Sequence, residues 1–168
     1  MVAALIVLYM RAIVFSPVAY ALMAVLLYLH TIGGHYTFER VPFDLVTNLF
    51  GFERNHYDRV AHFSVGFYAW AIAELLVMRR AVRSRVVLLL FPIFTIAFIA
   101  MLYELIEWAY AVIAGGPSAA SFLGSQGDIW DAQKDMLADT LGAILVMIAF
   151  FAARAAPPGT DTRAGAEI

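Results

Sequence analysis

The longest apolar stretch of the chain, residues 86–114, reads VVLLLFPIFTIAFIAMLYELIEWAYAVIA, and its only acids are Glu104 and Glu107. A helix needs about 20 mainly apolar residues to cross a bilayer, at a rise of about 1.5 Å per residue. The stretch exceeds that length and ends at Gly115-Gly116-Pro117, residues that terminate helices. It therefore predicts a membrane-spanning helix.

The composition of the whole chain is also that of a membrane protein. Its 168 residues are 63% apolar and 14% charged, with a mean hydropathy of +0.81, whereas soluble domains are about 45–50% apolar and about 25% charged. The net charge of −2 offers no basic field for nucleic acid. The lack of cysteine excludes disulfides, thiol nucleophiles and thiolate metal sites.

Three further stretches have the length and apolar character of membrane spans. They lie at about residues 13–32, which stop at Gly33-Gly34, and at residues 57–78 and 130–153. We predict an all-α membrane protein, a four-transmembrane-helix bundle, with residues 1–156 as a single helical membrane domain and residues 157–168 as a flexible polar tail. Residues 1–12 either extend the first helix or remain from an earlier span.

The first linker contains a short amphipathic segment between Pro42 and Gly51. Leu45, Leu49 and neighbouring apolar residues share one helical face, and the proline and the glycine stand where a helix begins and ends. We therefore predict a short interfacial helix on the membrane surface.

The arginines predict the orientation of the spans. Four of them crowd the link between the second and third spans, at Arg79, Arg80, Arg83 and Arg85. Because cytoplasmic loops are enriched in Lys and Arg, this link is expected inside. Arg11 and Arg154 then lie on the same side, so both termini are predicted to be cytoplasmic and the first and third linkers to face outward.

Ionisable side chains lie on three of the predicted spans, and apart from Glu74 in the second span they lie toward the outer ends. A charge near the bilayer centre costs about 2.5–3.5 kcal/mol, so such groups usually face a cavity. Spacings of three and four residues place each set on one helix face. The sets are Asp58 and His62 beside Arg59, then Glu104 and Glu107, then Asp131, Asp135 and Asp139. We expect these faces to meet in one polar site near the outer leaflet.

The expected site contains many more acids than bases. Six carboxylates face only Arg59 and Lys134, and at low dielectric they cannot all remain ionised. Protons or a divalent cation must neutralise part of that charge. His62, together with His35 and His56 in the adjoining linker, can supply imidazole nitrogen. A mixed nitrogen and oxygen ligand set favours zinc, manganese or iron, whereas carboxylates alone favour magnesium or calcium.

Some of these charges have purely structural explanations. Asp128 precedes the fourth span and suits its N-cap, and Asp131 suits the first helical turn. Arg59 could form a packing ion pair with Asp58 or Glu107. These explanations do not extend to Asp135, Asp139, Glu104 or Glu107, which remain candidates for function.

The motifs at these positions resemble those of the YjdF family of bacterial inner-membrane proteins, whose function is unknown. They are Gly33-Gly34-His35-Tyr36, residues 55–59 with His62-Phe63, residues 103–108, and residues 124–136, which include Gln126 and Asp128. Residues 58–63 and 135–142 are also similar to VanZ-like proteins, although Asp139 stands where that group would have asparagine. The resemblance implies a cell-envelope context and specifies no reaction.

The function predicted first is a divalent-metal site, holding zinc, manganese or magnesium, that binds or hydrolyses a lipid-linked or anionic envelope substrate. Its expected metal ligands are Asp58, His62, Glu107, Asp131 and Asp135, with Glu104 as general base and Arg59 holding an anionic group. His35, His56, Asp128 and Gln126 are expected nearby. A small proton- or ion-coupled transporter, which requires a polar route to the cytoplasmic side past Glu74, and a non-catalytic membrane scaffold remain open as alternatives.

Overall fold

A computed structural model describes residues 13–115 and 125–155, which form helices and their connections with no strand among them. The α-helices are α1 (Pro17–Tyr36), α2 (Asp44–Phe50), α3 (Tyr57–Val65), α4 (Tyr68–Met78), α5 (Arg85–Ala114) and α6 (Asp131–Ala155), and a 3-10 turn occupies Ser125–Gly127. Within these described residues, four segments are long and apolar enough to span a membrane: α1, α3 continued by α4, α5, and α6. The predicted all-α protein with four transmembrane helices is confirmed. The expectations for residues 1–12 and 157–168 lie outside the described residues.

The first span differs from its predicted limits at both ends. It begins at Pro17, because the Ser16 side chain caps the first turn. The predicted stop at Gly33 is wrong, since α1 continues to Tyr36. A glycine inside a helix costs only about 1 kcal/mol relative to alanine. Here it also makes room for the ring of Phe38, which would overlap a Cβ at position 33.

The short helix predicted in the first linker is present as α2. It begins at Asp44 and ends at Phe50, and the C-cap residue Gly51 has a φ of 66° that favours glycine. Leu45 and Leu49 are 83% and 74% exposed, so their apolar face is not covered by the described part of the protein. An interfacial position of α2 on the membrane stays a prediction.

The second span is interrupted at Gly66 and Phe67, between α3 and α4. At the interruption Gly66 lies against Gly142 of α6, and a Cβ on either glycine would overlap the opposite backbone. The absence of both side chains lets the two spans approach more closely than larger residues allow. Polar residues before Gly66 on α3 are thereby brought against the first turns of α6.

The second span is the centre of the bundle. It packs against α1 on one side and against α5 and α6 on the other, whereas α1 and α5 do not pack along each other. The apolar core lies beside α4, where Ala69, Ala73, Ile96, Met147 and Phe150 are buried together. Between α1 and α5 the arrangement leaves a cleft whose floor is the second span.

Candidate functional site

Three aspartates of α6 form a buried stripe facing α3. Asp131, Asp135 and Asp139 stand at successive helical turns and are only 6%, 4% and 3% exposed. At about 1.5 Å per residue the stripe extends about 12 Å along the helix. The sequence predicted this stripe and its convergence with the second span, and the structure brings the two together.

Arg59 lies on the α6 side of α3 and connects this stripe to the second span. Its Nη1 donates to Asp135 and its Nη2 donates to Asp131, in two short hydrogen bonds. Asp58 lies 3.6 Å from Nη1 and Asp128 lies 3.5 Å from Nη2. Both terminal nitrogens of the guanidinium therefore already contact carboxylates, an arrangement that suits a buried structural ion pair.

A second arginine, Arg54, joins the same network from the linker between α2 and α3. Its Nη1 donates to Asp128 at 2.9 Å and to Asp131 at 3.2 Å. Sequence reasoning missed Arg54, because a residue in an irregular loop has no helical periodicity that would assign it a partner. Arg54 and Arg59 share Asp128 and Asp131, so two cations lie at the Asp128 end of the site.

Asp128 occupies the structural role suggested by its position before α6. Its side chain accepts hydrogen bonds from Lys134 Nζ at 2.7 Å and from the Trp130 backbone N–H at 3.1 Å. These donors, with Lys134 first and Arg54 adding its charge, lower the pKa of Asp128 to about 2. The carboxylate is thus kept ionised where it anchors the linker to the start of α6.

The other residues expected near the site lie around it rather than in it, and His35 belongs to the last turn of α1 rather than to the linker predicted for it. Gln126 accepts from the Asn55 backbone N–H at 3.0 Å and donates to the Asn55 carbonyl at 2.9 Å, which ties the linkers together. His56 packs on the ring of Phe52 with centroids 4.3 Å apart. His35 packs on the neighbouring Tyr36 at 4.7 Å. Neither histidine lines the cavity described below.

His62 forms the deeper part of the site. One ring nitrogen, Nδ1, lies 3.3 Å from an Asp139 oxygen. The other, Nε2, lies 3.6 Å from Asp135 and 3.8 Å from Asp58. A carboxylate on Nδ1 fixes the ring and its tautomer, which is how many metal-ligating histidines are held in place.

A cavity of about 700 Å³ opens on this group. It lies between α1, α3, α5 and α6, and His30, Asp58, His62, Glu107, Asp135 and Asp139 are among its lining residues. Glu107 thus faces the same space as the histidine, as the helical spacing predicted. Glu104 is half-buried one turn away and Arg59 lies behind the wall, so neither of these two lines the cavity.

Asp58, His62 and Asp135 have the separations of a candidate cation site. One ligand atom from each lies within 4.8 Å of the other two. Bonds of about 2.0–2.2 Å to a tetrahedral zinc ion place ligand atoms about 3.3–3.6 Å apart, close to the distances from Nε2 to Asp135 and Asp58. Small side-chain adjustments would therefore suffice for all three residues to contact one ion.

A bundle of apolar spans around a buried acidic and imidazole site defines a multi-pass helical membrane protein. The sequence profile described as "Predicted membrane protein (DUF2238)" matches residues 1–156, so the chain belongs to this family. The chain is also 38% identical over 135 residues to a protein of Escherichia coli (strain K12) named "Inner membrane protein YjdF". The aligned part covers 79% of this chain and 64% of that relative.

The relative and the four apolar spans together identify the chain as a multi-pass inner membrane protein, in agreement with the family resemblance of its motifs. The chain spans less than two thirds of the relative's length. No solved structure matches the chain.

Proposed function

We propose that Asp58, His62 and Asp135 bind a divalent metal ion, and that this ion binds or activates a lipid-linked or anionic envelope substrate. The observation that carries the proposal is the orientation of His62. Its Nδ1 is held by Asp139 while its Nε2 points between two carboxylates that face the cavity. With nitrogen and oxygen ligands, zinc or manganese fits the set best, and magnesium fits its carboxylates.

The charge around the cavity supports a cation there. Asp58, Glu107, Asp131, Asp135 and Asp139 line it, whereas no Lys or Arg is among its described lining residues. Arg54 pairs with Asp128 and Asp131. Arg59 pairs with Asp131 and Asp135 and lies 3.6 Å from Asp58. These two positive charges are fewer than the acids that line the cavity, so a divalent ion beside His62 would supply further positive charge to Asp58 and Asp135.

The remaining expected residues receive distinct roles in this proposal. Glu107 faces the cavity and is a further ligand or the general base for metal-bound water, the role first expected of Glu104. Glu104, one turn away on α5, adjusts the charge around the site. Asp131 and Arg59 position Asp135 through their ion pairs, because Arg59 does not reach an anionic group in the cavity while it binds these acids.

The transporter alternative required a polar route toward the inner side through Glu74. That carboxylate accepts hydrogen bonds from the Ser16 backbone N–H at 2.9 Å, from the Ser16 hydroxyl and from Trp70 Nε1 at 2.7 Å. Three donors satisfy it as a structural anchor between α1 and α4. No observation in residues 13–115 and 125–155 favours a relay along this path, so the metal-site proposal is preferred.

Elemental analysis of the protein purified in mild detergent tests the proposal. We expect about one divalent ion per chain, retained after exchange into metal-free buffer, as a closed set of nitrogen and oxygen ligands would hold it. His62→Ala and Asp58→Asn should lose it. His30→Ala is the matched control, because His30 lines the same cavity without belonging to the three-residue set.

Thermal unfolding supplies a second measurement on the same samples. Adding the ion at about 100 times its dissociation constant should stabilise the unsubstituted protein by about 2.7 kcal/mol and leave His62→Ala unchanged. Absence of a bound ion together with no thermal shift for zinc, manganese or magnesium would overturn the proposal. Equal metal loss in His30→Ala would also contradict the assigned ligands.

A further inference from the structure

A second cavity, of about 510 Å³, lies on the inner side of the first. Phe15, Met23, Tyr68, Ala71, Ile72 and Leu75 are among its lining residues. Thr95 also lines this cavity, and its hydroxyl donates a hydrogen bond to the Phe91 carbonyl at 2.8 Å. The wall of the cavity therefore presents hydrocarbon. We call this space the tail cavity and the space beside His62 the site cavity.

The two cavities adjoin each other. Leu26 of α1, Val65 of α3 and Ile99 of α5 line both, so one residue from each of three helices stands at the junction. The combined space follows the cleft between α1 and α5, two helices that do not pack along each other. Ile99 is 48% exposed, which shows that the cleft is open at this junction toward the surroundings of the bundle.

The polarity of the combined space changes abruptly along its length. Acidic and imidazole groups surround the site cavity, whereas the tail cavity offers no charged group among its lining residues. A molecule that fills both must have a polar end and an apolar end. A hydrocarbon chain in the tail cavity would bury its own surface and that of the wall, and both burials are favourable.

We propose that the cleft binds a phosphate-bearing membrane lipid, with its headgroup in the site cavity and one hydrocarbon chain in the tail cavity. This inference rests on the proposed function for the headgroup, because an anionic phosphate among these acids needs a bridging cation. The chain reaches the tail cavity sideways from the bilayer, through the gap between α1 and α5. The substrate class is thereby narrowed from envelope molecules in general to phospholipid-like amphiphiles.

A photoactivatable phosphatidylglycerol with a diazirine near the end of one acyl chain tests the inference. The full chain is reconstituted in phosphatidylethanolamine and phosphatidylglycerol vesicles that contain the probe, and labelled peptides are identified by mass spectrometry. We expect labelling at Ile72, Leu75 and Thr95. Ala71→Leu should lower it about tenfold, because each methylene excluded from an apolar cavity costs about fourfold in binding.

Two further variants complete the test. Ile99→Trp blocks the junction from a half-exposed position and should also remove the labelling, even if Ala71→Leu disturbs folding. Ala21→Leu, on the exposed face of α1 away from both cavities, should leave it unchanged. Labelling spread evenly over the outer faces, or unaffected by both cavity variants, would overturn the inference.

The metal measurement keeps this inference separate from the proposed function. Labelling of the tail cavity by a protein that binds no metal would support the hydrocarbon end of the lipid site and contradict both the metal centre and its bridging of the phosphate. Metal bound by His62 without labelling of the tail cavity would support the metal centre and contradict the lipid site.

Discussion

Gly66 and Gly142 face each other where the second and fourth spans cross, with no side chain between the two backbones. This contact brings Asp58 and His62 of α3 against Asp135 and Asp139 of α6, since each pair lies within eight residues of its glycine. The distances within the candidate site therefore depend on a contact between backbones that involves no polar side chain.

We expect Gly142→Ala to destabilise the protein by about 1–3 kcal/mol, because the added Cβ would overlap the Phe63 carbonyl and force the spans apart. Thermal unfolding in detergent measures the loss. Gly34→Ala is the control, since a Cβ there meets nothing within 4 Å and glycine is disfavoured in a helix. It should leave the protein unchanged or stabilise it by up to about 1 kcal/mol. Similar losses in both variants would contradict a specific role for the crossing.

The pairing of Arg59 with the α6 stripe gives a second prediction. Arg59→Gln leaves Asp135 without its arginine, and we expect a loss of about 3–5 kcal/mol in unfolding free energy. Arg59→Lys should retain only part of the stability lost in Arg59→Gln, because one ammonium cannot bridge two carboxylates as the guanidinium fork does. Combining Arg59→Gln with Asp135→Asn should cost less than the sum of the single changes.

Arg40→Gln provides the comparison for that series. Arg40 is 79% exposed and lies 3.8 Å from Glu39, so its removal should change the unfolding free energy by at most about 0.5 kcal/mol. If Arg59→Gln proved as mild as Arg40→Gln, the arginine would not be a structural partner of the stripe. It would then be free for the substrate-binding role first expected of it.

The sequence was sufficient to predict the spans and the helical faces of the site. Apolar length marks a membrane helix, and spacings of three or four residues identify which side chains share a face. Asp135, Asp139 and His62 could be grouped in this way because each lies inside a regular helix.

Other features depend on contacts between segments distant in the chain. Arg54 lies in an irregular linker, and its partner Asp128 is 74 residues away. The end of α1 could not be located at Gly33, because the ring that fills the space beside that glycine belongs to Phe38 after the helix. The Ser16 partner of Glu74 was equally hidden, since it lies 58 residues before the glutamate.

Glu74 supplies a third prediction. Glu74→Gln replaces one acceptor oxygen with an amide nitrogen that donates, and this nitrogen would face the Ser16 or Trp70 donors. We therefore expect the unfolding free energy to fall by about 1–3 kcal/mol. Thermal unfolding is again the measurement, with exposed Glu53→Gln as the control. An unchanged stability combined with lost ion flux in liposomes would instead favour the transporter alternative.

The lowered pKa of Asp128 predicts how the stability of the protein depends on pH. Its folded pKa of about 2 lies below the ordinary value of about 3.9 for an unfolded chain. The ionised carboxylate therefore contributes stability in full above about pH 4 and loses it as the pH falls through about 2. The difference in melting temperature between the unsubstituted protein and Asp128→Asn should be constant from pH 7 to about pH 4 and shrink below it. A difference that grows toward low pH would reverse the sign and refute the assignment.

The orientation of the bundle can be tested directly because the chain has no cysteine. Arg83→Cys marks the arginine-rich link between α4 and α5, and Glu53→Cys marks the linker before α3; both positions are exposed. Since the arginine-rich link is expected inside, a membrane-impermeant maleimide added to intact spheroplasts should label position 53 and reach position 83 only after permeabilisation. That result would place the site cavity toward the outer leaflet, where lipid-linked envelope substrates are processed in the proposed function. The opposite labelling would move the cavity to the cytoplasmic side and require a substrate from the inner leaflet.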